Sequence, residues 1–203
     1  MFKTLLATTL VSALPFAAVA ASFDDPDWPC IQRKVPEISV AQMWAGPEVT
    51  DAIIAMGKES RVVDLAARLA LRRVPMDQAE QMIADFAAGL GDNRNDMLTA
   101  LFAKTFAHIS AERKTVMAGI SRYARKQAGL SGQIEQRRET LAAMQGNADS
   151  DLDKLEELQD NLAWDERIFN ERRQSLTYVC ETPTILEQRI FAIARAIQSH
   201  LVP

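Results

Sequence analysis

The chain has 203 residues, 48% hydrophobic and 25% charged, with a formal net charge of −4 at pH 7. That length and apolar content suffice for one domain with a real core. The acidic balance supplies no basic face for nucleic acid, and two histidines with two cysteines leave little material for a metal centre.

The opening "MFKTLLATTLVSALPFAAVAASF" places Lys3 before an uncharged apolar run that ends in Ala18-Val19-Ala20. A basic start, a short apolar run and a small-x-small site predict a signal peptide over 1–20, cleaved after Ala20, and hence an exported, periplasmic protein. The run is short for a membrane-spanning helix, which needs about 20 apolar residues, and charges interrupt every later stretch. The mature chain is therefore expected to carry no transmembrane segment.

Residues 21–48 read as an extended strap rich in proline and tryptophan. Pro26, Pro29, Pro36 and Pro47 each remove a backbone donor and push the preceding residue out of the helical region. One helical turn is expected in "EISVAQMW". The remaining residues, 49–203, read as a single all-helical domain. Thr50 caps a short helix that Gly57 stops, and Ser60 opens a second with Val62, Leu65, Ala66 and Leu69 on one face. Pro75 starts a third, which buries Met82, Ile83 and Phe86.

From about Asp96 to Gln145 there is no proline, and apolar residues alternate at spacings of three and four through Phe102, Ile109, Ile120, Tyr123, Leu130, Ile134 and Leu141. Arg113, Gln127 and Arg137 fill the other seam places. Gly119, Gly129 and Gly132 each cost about 1 kcal/mol against alanine, so a break at "GLSG" is the weak point of an otherwise continuous helix. After the turn "QGNADSD", Ser150 and Asp153 open the next helix. There Leu155, Leu162, Phe169, Leu176, Pro183, Ile190 and Ile197 lie seven apart, with Leu158, Val179, Leu186 and Ile193 three further on. An apolar seven-residue repeat on both sides of a tight turn predicts an antiparallel, coiled-coil-like helical hairpin, with an arm over about 110–180. Thr182-Pro183 is expected to restart the chain as a final helix over Thr184 to about Leu201, because a proline is tolerated at a first helical position.

With the turn near residue 148, Arg137 falls opposite Gln159 and Asp160. An Arg137–Asp160 contact is expected to fix the register of the hairpin and to play no catalytic part. Cys30 and Cys180 form the single intramolecular disulfide available in an oxidising compartment, closing a loop worth about 5 kcal/mol by chain entropy. Trp28 and Trp44 are expected to anchor the strap by packing beside it. A reactive Cys30 thiol is the rival reading, but no C-x-x-C partner or neighbouring histidine activates it.

Catalytic constellations are missing. His108 and His200 have no histidine or cysteine at ligand spacing, and the methionines are scattered rather than clustered for copper. Asp24, Asp25 and Asp27 lack the glycine and the regular donors of a calcium loop. No phosphate loop, nucleophile elbow or H-E-x-x-H pattern occurs, so no catalytic, cofactor-binding or metal-ligating residue and no enzyme activity is expected. The chain reads instead as an exported scaffold, adaptor or chaperone-like protein that binds an unidentified envelope protein through the hairpin, and a homodimer is compatible with the same surface. The alternative is an accessory or small-ligand-binding protein with a pocket between the helices of 60–110 and 184–201, lined by Phe86, Phe102, Phe106 and Phe191.

Overall fold

The computed structural model describes residue 25 and residues 27–202; the expected leader, 1–20, lies outside them. Among the described residues six helices follow one another: α1 (Val40–Met43), α2 (Asp51–Met56), α3 (Ser60–Ala70), α4 (Met76–Ala88), α5 (Arg94–Gln145) and α6 (Leu152–Gln198). Among the described residues there is no strand, and the fold is an all-α bundle with a long antiparallel hairpin of α5 and α6.

The core lies where the short helices surround the two long ones. Val62, Ala66 and Leu69 of α3 and Ala79, Ile83 and Ala87 of α4 meet Leu98, Leu101, Phe102 and Ile109 of α5 and Leu186, Ile190, Ile193 and Ile197 of α6. Every residue of α5 from Met97 to Phe102 is buried, which is the pattern of a helix enclosed on all sides. The hydroxyls of Thr99 and Thr105 therefore donate to the carbonyls of Asn95 and Leu101 one turn earlier, so no buried hydroxyl there is left unsatisfied.

Local capping follows the sequence closely, with shifts of one residue. Thr50 Oγ1 accepts from the Ile53 N–H at the start of α2. At α6 the cap is Asp151, whose carboxylate accepts from the N–H groups of Asp153 and Lys154, while the Ser150 hydroxyl turns back to the Met144 carbonyl. Trp44 is buried and stacks on Phe102 with centroids 4.3 Å apart, its indole N–H donating to the Pro47 carbonyl. Gly46 makes room for that ring: a Cβ there would lie 2.4 Å from the indole.

Two boundaries concern the long helices. α5 runs unbroken through Gly129 and Gly132. The seam residue Ile134 just beyond them is buried against α6, and packing outweighs the propensity deficit of two glycines. The expected restart at Thr182-Pro183 does not occur: α6 continues through Pro183 to Gln198. Pro183 leaves the Val179 carbonyl without its helical donor, but Val179 is 44% exposed and water can reach that position. Both flanking segments pack on α5, which holds them coaxial.

An interior proline costs about 3 kcal/mol against alanine, while removing the buried ring forfeits about 1–2 kcal/mol of packing. Pro183→Ala is therefore expected to raise stability by about 1 kcal/mol. Chemical denaturation measures this, and a loss of stability would show that ring packing dominates.

Candidate functional site: the strap junction and the helical arm

The disulfide joins Cys30 to Cys180, 150 residues apart in sequence, and lays the strap against α6 one turn before Pro183. Further along, the strap is held by Arg113. Its guanidinium is only 3% exposed and donates from Nη2 to the Val35 carbonyl at 2.5 Å, from Nη1 to the Pro36 carbonyl at 3.2 Å, and from Nε to Glu187 Oε1 at 2.7 Å. One buried cation thus ties together α5, α6 and the strap, and its donors find two carbonyls and a carboxylate. At the strap's outer end Asp27 pairs with Arg125 at 2.5 Å.

The first residues of the strap form a small loop. Trp28 donates its indole N–H to the Gln32 carbonyl, and Lys34 Nζ lies 2.6 Å from Asp25 and 5.8 Å from the Trp28 ring centroid. Trp28 is half-buried within this loop, where Lys34 and Gln32 partner it, rather than sunk against the core. Trp44 is the buried one, and its contact is Phe102 rather than the disulfide. The hydrogen bond from Lys34, then that from the Asp27 N–H, hold the Asp25 carboxyl below its ordinary pKa of 3.8. The loop contact is accordingly present at neutral pH and lost as the pH falls through that lowered value.

A second buried cation, Arg189, closes the end of α3. Its Nε and Nη1 donate to the carbonyls of Leu69 and Val74 at 2.8 and 2.9 Å, where a helix would otherwise end in unpaired acceptors. Burial lowers its pKa, opposed by the charge of Glu112, and Nη2 has no hydrogen-bond partner among the described residues.

Beyond Arg125 the arm consists of α5 and α6 alone. Tyr123 Oη donates to the Arg172 carbonyl and Gln127 Nε2 to the Phe169 carbonyl, which sets the level of one helix against the other. Arg137 pairs with Asp165, however, and not with Asp160 as register alone predicts. The reason is side-chain direction. Side chains lean toward the N-terminus of their own helix, so in an antiparallel pair an α5 arginine and an α6 carboxylate lean toward each other and meet when their backbone levels are offset by about two turns. Arg138 and Glu166, 2.6 Å apart, are offset in the same direction.

The arm falls into two charge zones that meet near residue 138. On α5, residues 113–138 carry seven Lys or Arg against one Glu, whereas 139–160 carry seven Asp or Glu against one Lys; residues 161–183 of α6, beside the α5 shaft, are mixed, with four Asp or Glu and three Arg. The turn at 146–151 makes the second stretch the tip. Among the described residues Glu139, Asp153, Glu156, Glu157 and Asp160 at the tip, and Lys114, Arg122 and Lys126 on the shaft, take no part in an ion pair. Trp164 is 54% exposed on the arm, covered by the Arg167 guanidinium at 4.4 Å from its ring centroid, and Tyr178 is exposed further down α6.

The four phenylalanines of the expected pocket do not converge. Phe102 is enclosed and contacts Phe106 at 5.8 Å, Phe86 lies under Arg61, and Phe191 is exposed beside Arg195. Between α4 and the end of α6 there is instead an open groove of about 670 Å³. Half-buried Ala84, Ala192 and Ala196 lie along it, with Asp77 and Glu80 on one wall and Arg195 and His200 on the other. Among the described residues no three His, Cys, Asp or Glu side chains group together as metal ligands, and no helix is long and apolar enough to cross a membrane.

Arg113, Glu187 and Arg189 were not singled out in the sequence as site residues, although an arginine in an apolar seam place is a visible signal for the first. No protein-family model, curated protein or solved structure matches the chain.

Two outcomes follow from the junction and the seam. Arg113→Met is expected to cost about 3 kcal/mol and to speed amide hydrogen exchange over residues 33–38 with the disulfide intact, and reductant should then free the strap fully. In a double-mutant cycle, Arg137 and Asp165 should couple by about 0.5–1 kcal/mol and Arg137 and Asp160 by none. Coupling to Asp160 would return the register to the simpler pairing.

Proposed function

We propose that the chain is an exported helical interaction protein, a scaffold, adaptor or chaperone-like clamp and not an enzyme, which docks a protein partner along the outer arm of its hairpin. The observation that carries this reading is the arm itself. It extends about 30 Å past the last strap contact at Arg125, is held by one two-helix seam, and sorts its charge into a basic shaft and an acidic tip around an exposed tryptophan. A surface of separated charge around an aromatic side chain suits recognition of another protein. A disulfide spanning 150 residues supports an oxidising, exported setting such as the periplasm.

The alternative, an accessory or small-ligand-binding role, rests on the α4–α6 groove and its two oppositely charged walls. A thermal-shift screen with small metabolites separates the two, since a ligand held in the groove stabilises the folded chain and an arm contact does not require it.

The arm reading is tested by retention of envelope proteins on the intact chain, on a variant lacking about 130–162, and on Trp164→Glu. The base of the bundle keeps its core in both variants, so circular dichroism should show folded protein. The expected result is loss of the partner with the deletion and weakening with Trp164→Glu, whereas equal recovery by all three would remove the arm as the docking surface.

A further inference from the structure

We infer that the arm's partner is a second copy of this chain, paired antiparallel about a two-fold axis that crosses the arm near Gly132 and Trp164; the inference rests on the reading of the arm as a docking surface. Three independent features converge on it.

The first is charge. The register set by Tyr123–Arg172 and Gln127–Phe169 puts Glu157 level with residue 139 of α5 and Trp164 level with residue 132. A two-fold axis at that level carries Glu157 of one copy beside Arg122 and Lys126 of the other, and the exchange occurs twice. Isologous pairing thus matches acidic tip to basic shaft in both directions, while parallel pairing would set tip on tip.

The second is glycine. A Cβ added at Gly129 or Gly132 would meet nothing within 4 Å, so no packing within one copy requires a bare backbone there. Gly129 lies on the proposed side within one turn of the axis, where a helix without a side chain admits the close approach of another, while Gly132 lies on the outer face of α5.

The third is the side of the hairpin left open. Counted in the seven-residue repeat, Arg138, Glu166 and Cys180 occupy the fifth place, which lies along one side of an antiparallel pair. The disulfide fastens the strap on that side, and the strap's outer end reaches Arg125 in the sixth place, on the back of α5, through Asp27. Gly129, Trp164, Arg122 and Glu157 occupy the third place, along the opposite side, with Lys126 beside them. With the axis at 132, the turn of one copy reaches the level of residue 118 in the other, short of the core that ends near Ile109. Arms overlapped over about 40 Å have the contact length of a standard interface, roughly 800 Å² per partner.

The test is the mass of the mature full chain in solution by light scattering and sedimentation, at low and high salt. A dimer weakened by salt is expected. Glu157→Lys and the double variant Arg122→Glu/Lys126→Glu should each weaken self-association by about tenfold or more, and an equimolar mixture of the two should restore it, because both contacts are again of opposite charge. Gly129→Leu should raise the thermal midpoint of the helix and yet abolish the dimer. A monomer at every concentration, or a dimer indifferent to these changes, overturns the inference. If that monomer still retains a different protein through its arm, only the second copy is excluded as occupant; if it retains nothing, the docking surface itself falls.

Discussion

The guanidinium of Arg113 is the group on which the arrangement of strap, α5 and α6 depends. A cation with 3% of its surface exposed is tolerated only where its donors are met, and Arg113 meets a carboxylate on α6 and two carbonyls of the strap. Each of those acceptors must therefore stand at one place along α5. The contact sets the level of Glu187, which in turn sets how far the hairpin runs beyond the core. It also brings the strap past α6, where Cys30 and Cys180 are close enough to bond. The disulfide closes a path whose direction the buried ion pair has chosen.

Two kinds of force act along the same pair of helices. At the base, α5 is enclosed from Met97 to Phe102 and apolar packing dominates. Along the arm only the seam is shielded, and the polar seam members Arg137 and Asp165 pair with each other. The arm needs no wide core because the base has already set both helices antiparallel and side by side. Helical hydrogen bonding then propagates through Gly129 and Gly132 on α5 and past Pro183 on α6. The outer faces are left free to carry segregated charge and an exposed tryptophan.

Much of this architecture was legible beforehand. The seven-residue repeat through Leu155, Leu162 and Phe169 names a seam, and the turn "QGNADSD" places its reversal, because apolar periodicity reports which face leaves water. Two cysteines admit a single intramolecular pair. What misled was local. Thr182-Pro183 has the composition of a helix start, yet packing on both flanks kept α6 whole. Arg137 sits opposite Asp160 by counting, yet side chains lean, and Asp165 is within reach. Phe86, Phe102, Phe106 and Phe191 share helical faces without sharing a cavity, because the faces turn to different neighbours.

The sequence by itself determined the class of fold, the hairpin and the disulfide, since these rest on spacing and composition that a one-dimensional pattern contains. Tertiary structure alone decided that Arg113 would hold the strap and that Arg189 would close α3. Those outcomes depend on distances between residues as far apart as Val35 and Arg113 or Leu69 and Arg189. Such distances exist only once the chain has folded and buried charges have been forced to find their acceptors.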